Sequence, residues 1–266
     1  MSTMTPTPTG TALFRAAFGA DSARWPLPPA AGPEQLWLRA VAAGAQGRYA
    51  SAHAALDALL RVCPDGPLAS LAHSTRGSFW RQLGWHRRAR AHDGRALALA
   101  GADPQAESDA LVGLAADALG VGRFAASARL LQRAAGLDPV VPRLPVRHAW
   151  VSAELAMATG DAAAAIGYAD RARALAAATE SARHRIKSDV VAAAALCSGG
   201  QLDAARTLAD AALTAARQAG LIPLCWALAS LLAGIGSATL SARQLDALRS
   251  DTAEQVVRGG GVWSNR

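Results

Sequence analysis

The sequence predicts an all-α fold built from about six stacked helix–turn–helix units. Three observations support this: alanine supplies much of the apolar share, strand patterns are missing, and one short motif recurs at nearly constant spacing. Apolar residues make up 52% of the 266-residue chain, but aromatic residues only 5%. Alanine loses no side-chain entropy in a helix, whereas strands favour β-branched and aromatic residues. The composition therefore favours closely packed helices.

The recurring motif is a glycine followed five positions later by a small residue. Its copies GRYASA, GWHRRA, GRFAAS, GDAAAA and GQLDAA begin at Gly47, Gly84, Gly122, Gly160 and Gly200. The intervals are 37, 38, 38 and 40 residues, a period typical of helical solenoids. Glycine adopts the left-handed conformation at a helix end without a Cβ penalty. Each copy is therefore predicted to be the bend between two helices, and a sixth, weaker copy begins at Gly236.

This pattern resembles the tetratricopeptide repeat, a helix–turn–helix unit of about 34 residues. In the first copy, Pro64 follows the small residue Ala52 by twelve positions, where the family places its closing proline. Ser127 and Pro139 repeat this spacing in the third copy. The resemblance implies a right-handed α-α superhelix over residues 33–258, whose concave face binds segments of other proteins.

The two ends of the chain lie outside the repeats. Residues 1–32 are rich in proline, and we expect them to be partly disordered or to cap the first repeat. Within them, GTALFRAAFGA can form a short helix with Leu13, Phe14 and Phe18 on its apolar face. Residues 259–266, after the repeat domain, begin with three glycines and are expected to form a flexible tail.

The second bend lies in an arginine-rich stretch, GWHRRARAHDGR, over residues 84–95. On a helix over residues 86–100, one arc contains Arg87, Arg88, Arg90 and Arg95. The opposite side contains Ala89, Asp93, Ala96, Leu97 and Ala100. The helical period therefore predicts that the arginines face solvent and that Asp93 faces the core, where the family has a large apolar residue.

The charge balance leaves nucleic acid open as an alternative partner. The formal net charge is +7, and the sequence pI is about 10.5. Lys187 is the single lysine, so 26 of the 27 basic residues are arginines. A protein that follows a nucleic-acid backbone needs contiguous arginines with aromatic residues between them. The arginines of this chain are instead scattered along the sequence and mixed with acidic residues. A sensor-type regulatory module is a third interpretation, but the sequence contains no DNA-reading helix-turn-helix.

No catalytic or cofactor motif stands out, so we expect a protein that is not an enzyme and has no cofactor or metal. Lys187 follows isoleucine, so the P-loop sequence Gly-Lys-Ser/Thr is missing. GVGRFA at residues 120–125 imitates a dinucleotide fingerprint, but that motif requires a preceding strand. His86 and His92 are six positions apart, which places their rings on different faces of a helix.

The sequence predicts a soluble, cytoplasmic protein without a membrane partner. The first twenty residues lack the basic and apolar regions of a signal peptide. The longest apolar runs are shorter than the ~18 residues that span a bilayer. Cys63, Cys197 and Cys225 are odd in number and far apart, which fits a reducing compartment.

Seven residues are candidates for partner binding in the predicted groove. Trp37, Trp150 and Trp226 each precede a bend glycine by ten positions. This shared phase has two interpretations: the rings line the groove as anchors, or they pack between helices. Other groove-facing phases contain Arg81, Arg147, Glu154 and Lys187. The leading hypothesis is a non-catalytic scaffold that captures a peptide or helix of another protein; the sequence leaves the oligomeric state open.

Overall fold

The computed structural model of this chain describes residues 8–264, with side chains from residue 10 onward. Within that range there are thirteen α-helices and no strand. In chain order they are α1 (Pro8–Phe18), α2 (Pro33–Ala45), α3 (Tyr49–Val62), α4 (Gly66–Gln82), α5 (His86–Leu99), α6 (Pro104–Gly120), α7 (Phe124–Ala135), α8 (Arg143–Ala158), α9 (Ala162–Ala177), α10 (Ala182–Ser198), α11 (Leu202–Gln218), α12 (Ile222–Ile235) and α13 (Ala242–Arg258). None of these helices has the length and apolar character that a membrane crossing requires.

Helices α2 to α13 form six consecutive pairs that stack as a solenoid. Each helix packs against the next in the chain, and each first helix also packs against the first helix of the next pair. The first helices α2, α4, α6, α8, α10 and α12 therefore form an inner layer, and their partners lie outside it. The prediction of an all-α solenoid with about six helix pairs is confirmed, and α1 precedes it as an additional helix.

The bends lie where the sequence motif predicts them. Positive φ values between 75° and 87° occur at Gly47, Gly84, Gly122, Gly160, Gly200 and Gly236. In the first five copies, the second helix begins two residues after the glycine. The small residues five positions on are fully buried: Ala52, Ala89, Ser127, Ala165 and Ala205. The motif thus reverses the chain at the glycine and brings the paired helices together at the small residue.

Helix α5 has the two faces predicted for the arginine-rich stretch. The exposed side contains Arg87, Arg88, Arg90 and Arg95. Ala89, Ala96 and Ala100 are buried, and Leu97 is half-buried. Asp93 is completely buried although it carries a carboxyl group. The arginines therefore belong to the outer surface, and Asp93 requires partners in the interior.

The last helix pair contacts the first, so the solenoid closes on itself. Val256 of α13 packs in the same apolar cluster as Tyr49 and Leu56 of α3. A Cβ added at Gly47 would lie within 3.7 Å of α12 and α13 side chains, among them that of Ile222. The concave face therefore becomes the wall of a central space.

Residues 259–264, for which the sequence predicts a flexible tail, lie along this closing contact. The Ala50 amide donates a hydrogen bond to the Gly259 carbonyl at 2.7 Å. The Trp85 indole donates to the Val262 carbonyl at 2.7 Å, and the Ser264 amide donates to the Leu83 carbonyl at 2.9 Å. These partners belong to the first two repeats. They are far from residues 259–264 in sequence, so local sequence patterns do not predict the contacts.

Helix α1 packs against α2 and α10. Its buried face consists of Leu13, Ala16 and Ala17. Phe14 is 51% exposed, so the apolar face expected from the sequence is wrong at that position. The three buried residues have i, i+3, i+4 spacing, and Phe14 lies about 100° away from Leu13 around the helix. The Ala182 amide, at the start of α10, donates to the Gly19 carbonyl at 3.2 Å.

Candidate functional site

The inner layer surrounds a central cavity of about 440 Å³ that is partly open to solvent. All six first helices contribute to its wall, and Phe18 of α1 and Trp263 after α13 complete it. Binding pockets in proteins typically have volumes of roughly 300–1,000 Å³. The cavity therefore has room for a small ligand or for a few side chains of a peptide.

All seven residues that the sequence singles out line this cavity: Trp37, Arg81, Arg147, Trp150, Glu154, Lys187 and Trp226. They come from five of the six first helices, α2, α4, α8, α10 and α12. The superhelical stacking brings them to one place although they span 190 positions of sequence. Their role in binding a partner stays a prediction.

Each of the three tryptophans is half-buried, so its ring both packs within the fold and lines the cavity; whether the rings anchor a partner stays a prediction. Trp37 donates its indole hydrogen bond to Thr75 Oγ1 of the next first helix at 2.9 Å. Trp150 makes the equivalent bond to Ser188 Oγ at 2.8 Å. One edge of each ring thus joins neighbouring repeats, while another part lines the cavity.

Trp226, the third of these tryptophans, has an aromatic partner instead. Its ring lies 4.4 Å from the ring of Trp263, measured between centroids. The Trp263 indole donates to the Ala253 carbonyl at 3.4 Å. This contact places an aromatic pair at the point where the solenoid closes.

Arg81 belongs to a buried ion network rather than to an open surface. Its guanidinium donates to Asp93 Oδ2 at 2.7 Å and to Asp117 Oδ1 at 2.5 Å. A Cβ at Gly77 or Gly113 would come within 2.6 Å of an Asp93 carboxylate oxygen. These two glycines therefore make the space that Asp93 occupies between α4 and α6.

The network shifts the pKa of one of its carboxyl groups close to neutral pH. Burial raises the pKa of Asp117 to about 7; Arg81 opposes this shift and Asp93 adds to it. Burial likewise raises the pKa of Asp93 and outweighs the effect of Arg81. Two buried carboxylates would carry one charge more than Arg81 neutralises, so a proton retained on Asp117 balances the network.

Arg147 shares a carboxylate with another arginine that sequence reasoning missed. Asp109 accepts hydrogen bonds from both Arg143 and Arg147, and the bond from Arg143 Nη1 measures 2.8 Å. Burial alone raises the pKa of Asp109, but the two arginines outweigh it and hold the pKa below its usual value. Asp109 therefore remains ionised and anchors both arginines at the cavity wall.

Two further residues of the wall, Arg183 and His184, lie near these arginines at the start of α10. Burial lowers the pKa of Arg183 to about 10, with additional repulsion from Arg147 and Arg143. Burial and the same arginines keep the pKa of His184 well below its usual value. The His184 ring stacks on Trp150 at 5.3 Å between centroids. At neutral pH His184 is therefore an uncharged, flat part of the wall.

Lys187 and Glu154 form an ion pair with each other. Lys187 Nζ lies 3.2 Å from Glu154 Oε1 and 6.0 Å from the centre of the Trp150 ring. Both charged side chains are about one-third exposed, so solvent screens the pair and its contribution to stability is small.

Sequence reasoning missed Asp109, Arg143, Arg183, Phe18 and His184. A signal for some of them exists, because bonded partners recur close to one repeat apart. Arg147 and Asp109 are 38 positions apart, as are Trp150 and Ser188. A search for complementary residues one period apart would find these pairs. It would not find Phe18, because α1 lies outside the repeats.

Fold and cavity together define a helical-repeat protein whose central cavity is lined by charged and aromatic side chains. No family model matches this chain, and no curated protein matches it significantly.

Proposed function

We propose that this chain is a non-catalytic, tetratricopeptide-like protein that captures a peptide segment of another protein in its central cavity. One observation carries the proposal: the seven groove candidates, from five different helices, meet around one cavity of about 440 Å³. Concave surfaces of helical repeats are extended binding surfaces by construction. The bend spacing and the closing prolines Pro64 and Pro139 support the family likeness.

The aromatic residues of the wall are suited to anchor such a segment. Trp37 and Trp150 are fixed by hydrogen bonds to Thr75 and Ser188. Their side chains therefore lose little conformational entropy when a ligand binds against them. Fixed tryptophans in concave, desolvated places are typical binding hot spots. Carboxylates of the captured segment would bind to arginines of the wall, as forked guanidinium groups match carboxylate geometry.

The arrangement of the wall favours binding over catalysis. Its acidic side chains Asp109 and Glu154 are each bonded to basic residues of the same wall. Catalysis by a nucleophile requires such a group beside a free base. We place the protein in the cytoplasm, because Cys63, Cys197 and Cys225 are all free thiols and a reducing compartment keeps them so.

Selection from a peptide display library against the full chain tests the proposal. We expect enriched peptides whose affinity falls by ~2 kcal/mol in Trp226→Ala, the size of a hot-spot effect. The matched control is Tyr168→Ala, which removes an exposed ring of α9 and should leave affinity unchanged. Far-ultraviolet circular dichroism verifies that both variants fold. Failure to enrich any peptide, or equal binding to Trp226→Ala, would reject the proposal.

A further inference from the structure

One part of the central cavity carries more positive than negative charge. It consists of Arg143, Arg147 and Arg183, which we call the arginine cluster. Asp109 is the carboxylate that bonds to the cluster, and it accepts from Arg143 and Arg147. Three guanidinium groups thus face one carboxylate, which leaves two positive charges unmatched.

The other charges of the cavity are already matched. Arg81 is bonded to Asp93 and Asp117, and Lys187 is paired with Glu154. The excess is therefore local to the place where α6, α8 and α10 meet.

Arg183 is the least compensated member of the cluster. Among the residues that the structure describes, it forms no hydrogen bond or ion pair, and its guanidinium lies 5.6 Å from the centre of the Phe18 ring. Burial lowers its pKa, and repulsion from Arg147 and Arg143 lowers it further. Because this guanidinium is half-buried and bonds to no carboxylate in the described part of the chain, an anion that enters the cavity would find its strongest attraction here.

Flat apolar groups surround the cluster. The Phe18 ring lies 5.4 Å from the Trp37 ring, and the Arg143 guanidinium is within 5.7 Å of both ring centres. His184, on the other side, is uncharged and stacked on Trp150. An anion at the cluster therefore has aromatic surface within reach of the group that carries it.

We infer that the arginine cluster binds an oxyanion, a carboxylate or a phosphate, carried on a flat apolar group that lies against Trp37 and Trp150. Guanidinium forks bind both kinds of oxyanion through paired hydrogen bonds. A free aromatic acid has this chemistry, and so does an acidic side chain beside an aromatic one in a peptide. Where the oxyanion belongs to a side chain of a peptide, the inference rests on the proposed function.

Calorimetric titration of the full chain with four small probes tests the chemistry. Phenyl phosphate and phenylacetate supply an oxyanion on a ring, phenylacetamide supplies the ring without charge, and inorganic phosphate supplies the charge alone. We expect the two acids to bind at least about tenfold more tightly than phenylacetamide and inorganic phosphate. Equal affinity of phenylacetate and phenylacetamide would overturn the inference.

Variants at Arg183 locate the site. Arg183→Gln should weaken the binding of phenyl phosphate at least about tenfold, with a melting temperature no lower than that of the unchanged protein, because repulsion is relieved. Arg185→Gln changes an exposed arginine of the same helix and should alter neither. Arg183→Lys keeps the charge without the fork and should bind with intermediate affinity. Unchanged binding in both Arg183 variants would overturn the assignment.

Competition separates this inference from the proposed function. Phenyl phosphate that binds through Arg183, and that no selected peptide displaces, would support the anion site and count against peptide capture. Selected peptides that bind equally well to the Arg183→Gln variant would support peptide capture and overturn the inference for peptides, while the binding of phenyl phosphate by this variant decides the anion site. Peptides that displace phenyl phosphate and lose affinity in Arg183→Gln would support both.

Discussion

Trp150 donates its indole hydrogen bond to Ser188 Oγ at 2.8 Å, and the two residues are 38 positions apart in the chain. This distance is one repeat, and Trp37 and Thr75 form the same bond across the same interval. The bond joins consecutive first helices at the wall of the cavity. The Trp150 side chain therefore joins two consecutive repeats and also lines the cavity.

Substitution of Trp150 should separate its packing from its hydrogen bond. Trp150→Phe keeps an aromatic ring but removes the donor, and we expect a loss of about 1 kcal/mol in the free energy of unfolding. Trp150→Ala also loses the buried part of the ring and should cost about 2 kcal/mol or more, below the ~3–5 kcal/mol of a fully buried ring. Urea denaturation measures both values.

The control for these variants is Tyr168→Ala, which removes an exposed ring on α9. It should change stability by no more than about 0.5 kcal/mol. A Trp150→Ala variant as stable as this control would mean that the ring contributes nothing to the stacking of the repeats.

A side chain at Gly122 should destabilise the bend at this position. Its φ is +75°, and a Cβ built there meets no atom within 4 Å, so backbone strain alone opposes a substitution. Gly122→Val should therefore lower the free energy of unfolding by ~1 kcal/mol or more. The matched control is Gly167→Ala, inside α9, where the space is equally open.

Because alanine favours a helix over glycine by about 1 kcal/mol, Gly167→Ala should be neutral or stabilising. Chemical denaturation of the two variants compares them directly. An unchanged stability of Gly122→Val would show that the bend does not depend on positive φ at this position.

Loss of Arg81 should be costly because two carboxyl groups depend on it. Arg81→Met retains most of the side-chain volume but leaves Asp93 and Asp117 without their cation. Removing one partner of a buried ion network typically costs ~3–5 kcal/mol. Arg90→Met, at an exposed position of α5, provides the control and should leave the melting temperature nearly unchanged. Similar melting temperatures for the two variants would contradict a structural role of the network.

Asp117 should make the protein less stable as the pH rises toward neutrality. Its pKa in the folded chain is about 7, against an ordinary value of 3.8. The folded state therefore binds this proton more tightly than the unfolded state does. The resulting stabilisation is complete below about pH 4 and is lost as the pH rises to about 7.

Asp117→Asn should remove this dependence because the amide stays neutral. We expect the melting temperature of the variant, relative to the unchanged protein, to increase between pH 4.5 and about 7 and then to level off. Asp246→Asn, at a carboxylate of α13 that is 63% exposed, should show no such trend. A constant difference across this range would mean that Asp117 titrates at its ordinary pKa.

Local and periodic features of this protein follow from its sequence alone. The glycines at the bends, the buried small residues after them and the exposed arginines of α5 all depend on contacts within one helix pair. Helical geometry fixes such contacts over a few residues, so the spacing in the sequence is sufficient to predict them. The phase of Trp37, Trp150 and Trp226 likewise places them on the inner layer, because every pair repeats the same orientation.

Only the tertiary structure decides which charges meet and where the solenoid closes. Arg81 reaches Asp117 of the next repeat, 36 positions away, and Arg183 joins Arg143 and Arg147 only because α8 and α10 stack. Closure depends on the small rotation from each pair to the next, which accumulates over six pairs until Gly259 bonds to Ala50. A pattern of residue types does not specify that rotation, since it results from the packing of all the side chains between neighbouring pairs.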